Sequence, residues 1–223
     1  MVTRALGVVA LVLMLTALYL VFMVAPTEAT MGVVQKIFYF HVPQASLSYL
    51  SAILLGFGCI MFLWKSDLKW DRFGSAAAEL GLMFTATTIV SGMIWAKPAW
   101  GTYWVWDARL TLQFVLGLLF VAYFMLRAYL PNREKRATLS CVFGLLAMVD
   151  VPLNYGSIYW WRTQHPQPVV SPGGGGLDPD MQLAFFVSLT AWAVFYVYLL
   201  RHRMAIARVE EQVEYLEHVV QSV

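Results

Sequence analysis

The sequence predicts an all-α integral membrane protein, a bundle of six transmembrane helices, and three observations support that prediction. The chain of 223 residues is 60% hydrophobic and only 13% charged, whereas a soluble domain needs a more polar surface. Runs of about 20 apolar residues, each long enough to cross a hydrocarbon core of roughly 30 Å, recur along the chain. Lysine and arginine residues collect in alternate loops, as they do on the inner face of membrane proteins.

The apolar runs define six spans in a membrane domain over residues 1–200, followed by a tail over residues 201–223. We interpret the first run as an uncleaved anchor and not as a signal peptide, because it is longer than a typical signal h-region and five more spans follow. The predicted spans are 5–25, 45–64, 78–96, 110–130, 137–155 and 181–200.

The basic residues predict the orientation of the chain. Eleven of the 15 lysines and arginines lie at the termini and in the loops of one side, and the other side holds four, Lys36, Lys97, Arg109 and Arg162. The richer side is expected to be cytoplasmic, so both termini lie inside a bacterial inner membrane and loops 26–44, 97–109 and 156–180 face the periplasm. The net charge of +2 is this inner-face excess, and no basic patch indicates nucleic-acid binding.

Several kinds of chemistry are missing from the sequence. The two cysteines, Cys59 and Cys141, lie inside predicted spans, and there is no C-x-x-C pair, no covalent haem-attachment motif and no zinc spacing. There is also no phosphate-binding loop motif. We therefore expect a subunit that is not itself an enzyme and that depends on another subunit for any ATP hydrolysis.

Tryptophan is concentrated on the predicted outer side, above all in loop 97–109. Trp100, Trp104 and Trp106 precede Asp107 and Arg109 there. If residues 100–107 are helical, Trp100 and Trp104 share one face and Asp107 follows one turn on, which makes an aromatic shelf with a carboxylate at its rim. The alternative is an aromatic belt at the membrane interface, which would populate both faces more evenly.

Two histidines lie in outer loops beside aromatic residues. His41 precedes the second span, and Pro43 suits the first turn of that helix, where the helix dipole favours a neutral, metal-binding imidazole. His165 precedes Pro166, which favours an extended backbone, and it follows Trp160, Trp161 and Arg162. One such histidine is most simply an interfacial hydrogen-bonding residue. Two of them, on either side of the tryptophan loop, favour a haem site.

Haem fits this set of residues because its iron takes imidazoles, its ring packs on aromatic side chains and its propionates pair with arginine. Arg109 and Arg162 are the candidates for the propionates, and an ion pair between Arg109 and Asp107 is a competing role. Asp150, near the outer end of the fifth span, has two open interpretations: it orients a ligand histidine, or it bonds the backbone loosened by Pro152.

The tail has a different pattern. Val209, Val213, Leu216 and Val220 recur at heptad-like spacing with glutamates between them. This predicts a short cytoplasmic helix with one apolar face.

The tryptophan loop also resembles a known motif. Trp-Gly-x-x-Trp-x-Trp-Asp-x-Arg-Leu-Thr at 100–111 is similar to the WWD signature of haem-handling proteins of cytochrome c maturation. The Asp-x-Arg-Leu-Thr ending, with six spans, resembles the cytochrome c maturation protein C (haem exporter protein C) family. Phe-Tyr-Phe-His-Val-Pro at 38–43, Val-Asp-Val-Pro at 149–152 and Trp-Trp-x-Thr-x-His at 160–165 are also similar to that family. The resemblance covers roughly residues 31–195.

The resemblance implies a specific function. Haem b would be bound transiently and without covalent attachment at the periplasmic surface, with His41 and His165 as axial ligands and the tryptophan loop as platform. It would be delivered to a haem chaperone, cytochrome c maturation protein E. The expected partners also include the membrane and ATP-binding subunits of an ABC-type complex, a small single-span subunit and the lipid bilayer.

Two other functions stay open from the residues. A b-type electron-transfer membrane subunit would hold a resident haem, but such proteins commonly place histidine pairs within transmembrane helices. A structural scaffold would use the tryptophan loop to dock a partner protein, with no dependence on haem.

Overall fold

A computed structural model describes residues 2–161, 163–166 and 176–221, with the side chains of residues 2, 214, 215, 217–219 and 221 left aside. Within these ranges the chain folds into six long helices, each long and apolar enough to cross a membrane. The prediction of an all-α, six-span protein is confirmed. The helices are α1 (Val2–Tyr19), α2 (Phe38–Lys65), α3 (Leu68–Trp100), α4 (Ala108–Tyr129), α5 (Arg133–Trp160) and α6 (Pro179–Gln221).

Two helices are much longer than their apolar runs. Helix α3 begins ten residues before the predicted span, because Asp67 caps it by accepting a hydrogen bond from the Lys69 N–H at 2.9 Å. Helix α6 continues without a break from Pro179 to Gln221 and so joins the last span to the tail. Hydropathy marks the apolar part of a helix, whereas caps and ion pairs decide where the helix ends.

Small residues let the helices approach closely at the centre of the bundle. A Cβ at Gly58 of α2 would lie 2.9 Å from the Cα of Gly74 in α3, and one at Gly81 would lie 2.3 Å from the ring of Phe120 in α4. Phe120 is fully buried. This close packing suits a membrane bundle, in which van der Waals contact and not hydrophobic exclusion holds helices together.

One end of the bundle is held by ion pairs. Arg127 of α4 forms two hydrogen bonds, at 2.6 and 3.0 Å, with the carboxylate of Asp71 in α3. Arg203 of α6 pairs with Glu79 at 2.8 Å, and Arg72 of α3 pairs with Glu211. The described tail of α6 leaves its apolar residues exposed, namely Ile206, Val209, Val213, Leu216 and Val220.

The opposite end, called the histidine end below, holds the start of α2, α4 and α6 and the end of α1, α3 and α5. A 3-10 helix over Val33–Ile37 leads into α2, and its Lys36 is buried. The Lys36 ammonium donates to the Val21 carbonyl at 2.7 Å, just beyond α1. Phe38 stacks on Phe185 of α6 at 5.0 Å. Helices α1 and α6 therefore fasten the beginning of α2, which carries His41.

Candidate functional site

The tryptophan loop begins where a glycine ends α3. Helix α3 runs through Pro98 to Trp100, and Gly101 then adopts φ 77°, a left-handed conformation that favours glycine. The Lys97 ammonium donates to the Gly101 carbonyl, and the Gly101 N–H donates to the Lys97 carbonyl, both at 2.9 Å. Residues 101–107 are not helical. The condition for an aromatic shelf, a helix over residues 100–107 with Trp100 and Trp104 on one face, is therefore not met.

The aromatic side chains of the loop form two groups instead of one shelf. Trp100 packs edge-on against Trp95 of its own helix, with ring centroids 5.0 Å apart. Trp104 and Trp106 contact each other at 5.6 Å, and both contact Phe114 of α4, at 6.4 and 6.1 Å. Trp106 is 74% exposed, so this second group offers an accessible apolar surface. Sequence reasoning missed Phe114, because nothing distinguishes it from other apolar residues of its span.

Asp107 connects the tryptophan loop to the segment that carries His165. Its Oδ1 accepts the Leu110 N–H at 2.8 Å and caps α4. Its Oδ2 accepts the hydroxyl of Thr163 and the Gln164 N–H, the latter at 3.1 Å. Both carboxylate oxygens thus accept hydrogen bonds from groups of the chain itself. The sequence placed Asp107 at the rim of the ligand site, and the structure gives it the task of holding two loops together.

His165 is held by its immediate neighbours. Its backbone N–H donates to the Thr163 hydroxyl at 3.1 Å, and its Nδ1 lies 3.0 Å from the Pro166 carbonyl oxygen. A carbonyl oxygen only accepts hydrogen bonds, so Nδ1 carries the proton and Nε2 keeps a free lone pair. Burial, reinforced by the charge of Arg109, lowers the pKa of His165 to about 4, although the Pro166 carbonyl and Asp107 oppose the shift. The ring is therefore neutral at pH 7, as a metal ligand must be.

His41 lies in the first turn of α2 and faces α3. Helix α2 begins at Phe38, so His41 is its fourth residue and Pro43 lies inside the helix. The prediction that Pro43 occupies the first turn is wrong, but the placement of His41 near the helix N-terminus is confirmed. The His41 Nδ1 lies 3.0 Å from the Ser91 hydroxyl oxygen. His41 is close enough to His165 for the two rings to interact electrostatically.

Arg109, the second residue of α4, lies within electrostatic range of both histidines. Its Nη1 is buried and has no hydrogen-bond partner among the described residues. The ion pair with Asp107 is not formed, because the oxygens of Asp107 accept from other groups. A buried guanidinium nitrogen without a partner is costly, and a carboxylate of a ligand would satisfy it.

Asp150 lies in a buried polar network that runs through α2, α4 and α5. The Tyr49 hydroxyl donates to Asn154 Oδ1 at 2.9 Å, and Asn154 Nδ2 donates to Gln113 Oε1 at 3.3 Å. Asp150 interacts with Asn154, and its Oδ2 has no partner within the described part of the chain. The Nδ1 atoms of both histidines contact Ser91 and Pro166, and no described hydrogen bond joins Asp150 to either ring. The role of Asp150 toward a ligand histidine therefore stays a prediction.

Trp160 and Trp161 lie at the end of α5. Their rings meet edge to face at 5.9 Å, and both side chains are more than half exposed. The Trp160 ring lies over Gly156, where a Cβ would come within 2.6 Å of it. Arg162, the second candidate for a propionate, lies outside the described residues. The contribution of these three residues to a ligand site stays a prediction.

The donor set suits an iron that already has four ligands of its own. No group of three or more histidine, cysteine, aspartate or glutamate side chains that could hold a free metal ion occurs in the part of the chain that is described. Two neutral imidazoles are too few for a closed zinc site. They match the two axial positions of a haem, whose porphyrin nitrogens supply the remaining four ligands.

Comparison with known proteins gives a consistent result. Residues 1–217 match the family model described as "Heme exporter protein C". A ccmC-like mitochondrial protein of cytochrome c biosynthesis from Marchantia polymorpha is 33% identical over 171 residues, which cover 77% of this chain and 72% of the relative. The proteins named "Heme exporter protein C" from Bradyrhizobium diazoefficiens and Escherichia coli K12 are 32% and 31% identical. These matches cover 78% and 86% of this chain, and 67% and 76% of the relatives.

Proposed function

The chain belongs to the heme exporter protein C family, and we propose that it binds haem at its histidine end and delivers that haem for the biogenesis of c-type cytochromes. Haem is thus the cargo of the protein and not a resident cofactor. The observation that carries the proposal is the state of the two histidines. His41 and His165, 124 positions apart in the sequence, each contact a protein group through Nδ1, which leaves Nε2 for iron. Both lie within electrostatic range of Arg109, whose Nη1 has no hydrogen-bond partner among the described residues.

The residues divide the recognition of haem among them. His41 and His165 would supply the axial nitrogens for iron. Arg109 would pair with a propionate, since a guanidinium forms strong, charge-assisted bonds to carboxylates. The exposed group of Trp104, Trp106 and Phe114 would pack against the macrocycle, and the Trp104 indole N–H, which is buried without a described partner, is free to donate to the ligand.

A site of this kind favours transfer over permanent binding. His165 lies outside the helices, on a segment tied down by a few hydrogen bonds, and such segments open at low energetic cost. Release of one axial ligand would let an acceptor protein take the haem. We propose a periplasmic haem chaperone as the acceptor and a complex with ABC-type subunits as the setting. The chain itself would catalyse no bond chemistry.

The orientation follows from the charge distribution. Most lysines and arginines lie away from the histidine end, and the rule that positive residues stay inside puts that end on the periplasmic side of an inner membrane. Haem would then be presented where c-type cytochromes are assembled.

Spectroscopy tests the ligand assignment directly. The detergent-purified chain should bind added haemin with a low-spin, bis-imidazole absorption spectrum. His41→Ala and His165→Ala should each abolish that spectrum and weaken binding. His202→Ala is the matched control, because His202 is exposed on the far part of α6, where it contacts Tyr198. If both site variants bind haem as the parent does, the assignment is wrong.

A second measurement separates delivery from electron transfer. Haem-loaded protein is mixed with an apo-protein that has high affinity for haem, and transfer is followed by absorption. Rapid transfer supports delivery. Retention of haem together with reversible reduction would support a resident b-type centre instead, and tight binding of a partner protein without haem would support a scaffold.

A further inference from the structure

We propose that Ser91 of α3 is a positioning residue that fixes the ring of His41 in the protonation state and orientation needed to bind iron. This inference rests on the proposed function, because it takes His41 to be an axial ligand.

The Ser91 hydroxyl has a single proton to donate. Ser91 Oγ donates that proton to the Thr88 carbonyl in its own helix, at 3.1 Å. The same oxygen lies 3.0 Å from His41 Nδ1. Since its one proton is already used, the hydroxyl accepts from the histidine.

The bond to Ser91 therefore requires a proton on His41 Nδ1. A neutral imidazole with its proton on Nδ1 has its lone pair on Nε2, the atom that is left free for iron.

The position of the ring is also set by α3. A Cβ at Gly92, the residue after Ser91, would lie 3.1 Å from His41 Cε1 and 3.7 Å from Nδ1. That edge of the imidazole is thus in contact with the backbone of α3, and a side chain at position 92 would crowd it. Ser91 anchors the ring by a hydrogen bond, and Gly92 leaves the space that the ring occupies.

The bond has a chemical consequence for a bound haem. A ring that donates from Nδ1 becomes a more basic ligand through Nε2, and its orientation is restricted. A more basic axial ligand stabilises the ferric state and lowers the reduction potential. Ser91 would therefore affect both the affinity for haem and its potential, although it does not touch the haem itself.

Substitution of Ser91 tests the inference in the full-length, detergent-purified protein with haemin as the probe. Ser91→Ala should weaken haemin binding by about 10- to 100-fold, the range observed for partners of metal-ligating histidines, and should raise the reduction potential. Ser91→Thr keeps the hydroxyl and its bond to the helix carbonyl, so it should behave as the parent. Ser91→Cys, with a weaker acceptor, should fall between them.

Ser46→Ala is the matched control. Ser46 lies in α2, near His41 in sequence, and its hydroxyl donates to the Val42 carbonyl of its own helix at 2.9 Å. This variant should match the parent in both affinity and potential. Thermal unfolding of each apo-protein checks that the fold is unchanged.

Two outcomes would overturn the role of Ser91. In one, Ser91→Ala has the affinity and potential of the parent while His41→Ala loses haem. In the other, Ser91→Thr loses as much as Ser91→Ala, so that the hydroxyl is irrelevant. Failure of the proposed function gives a different pattern, in which His41→Ala and His165→Ala both bind haemin as the parent does.

Discussion

His41 and His165 reach the same site from two very different surroundings. His41 belongs to the first turn of α2 and packs against Ser91 and Gly92 of α3, so the membrane bundle itself holds it. His165 belongs to a non-helical segment, where it bonds the next residue and depends on Asp107 to tie its segment to the tryptophan loop. The position of His41 is thus fixed by packing between helices, and that of His165 by a few hydrogen bonds. We expect the His165 side to open when haem is passed on.

Apart from replacement of the histidines themselves, the largest effect on haemin affinity should come from loss of the Asp107 carboxylate. Asp107→Ala removes two hydrogen bonds to the His165 segment, each worth about 1.5 kcal/mol because the acceptor is charged. The affinity for haemin should therefore fall by up to about a hundredfold. Titration of the haem absorption band measures it.

Asp107→Ala also removes the cap of α4, so a control must separate that loss from the loss of the bonds to Thr163 and Gln164. Asp67→Ala removes the cap of α3 at the opposite end of the bundle. It should lower stability by about 1 kcal/mol, as loss of the α4 cap would, but should not change haemin affinity. Equal haemin affinities for Asp107→Ala and Asp67→Ala would contradict the proposed role of the Asp107 bonds in holding the His165 segment.

A smaller effect is expected from crowding His41. Gly92→Ala would put a methyl group 3.1 Å from His41 Cε1 and should weaken haemin binding about tenfold, at the lower end for changes beside a ligand histidine. Stability should not fall, because alanine is favoured over glycine in a helix by about 1 kcal/mol. Isothermal titration and thermal unfolding measure the two quantities.

Gly117→Ala provides the control for this crowding. Its new methyl group would meet Thr85 at 3.3 Å, a similar contact between α4 and α3 that does not involve a histidine. If Gly117→Ala weakens binding as much as Gly92→Ala, general repacking and not the His41 ring is responsible.

An effect between those of Asp107→Ala and Gly92→Ala is expected at Thr163, whose hydroxyl bonds both Asp107 and the His165 backbone. Thr163→Val removes the hydroxyl that donates to Asp107 and accepts the His165 N–H at 3.1 Å, while the Gln164 bond remains. The loss is about 1.5 kcal/mol for the bond to the charged Asp107 and about 1 kcal/mol for the neutral bond, so haemin binding should weaken by up to about 70-fold. Thr87→Val, which removes a hydroxyl bonded to carbonyls of its own helix, should leave the affinity unchanged.

The smallest expected effect is the pH dependence of the stability of the folded protein. The pKa of His165 is lowered to about 4 from an ordinary 6.5, by burial and by the nearby charge of Arg109. The folded state thus binds fewer protons than the unfolded state between these values, so stability is complete above pH 6.5 and is lost as the pH falls toward 4. In Arg109→Gln the pKa should rise, because a nearby positive charge has been removed.

NMR of histidine-labelled apo-protein measures this titration, with the His165 signal assigned from its absence in His165→Ala. The ring should remain neutral at pH 5.5 in the parent and titrate at a higher pH in Arg109→Gln. A His165 ring that titrates near 6.5 in the parent would mean that the segment leaves the ring in water.

Much of this protein could be read from local sequence. The six spans are visible because a membrane demands long apolar runs whatever their neighbours are, and each was found as a helix. His41 and His165 were selected because they stand beside aromatic residues in loops, and Arg109 because it follows the tryptophans. Local sequence left the conformation of residues 101–107 open, and Gly101 excludes the helix considered there because it ends α3.

The sequence by itself determined the fold class, the family and the residues at the histidine end, because hydropathy, charge bias and the WWD-like motif are properties of short segments. Tertiary structure decided what these residues contact. Asp107 joins Thr163 and Gln164, 56 and 57 positions away, and Ser91 meets His41 across 50 positions. Contacts of that kind depend on which helices become neighbours, since the packing of small residues that sets the neighbours is a property of the whole bundle. The tryptophan loop thus identifies the candidate site from sequence, whereas the contact between α3 and His41 is visible only in the tertiary structure.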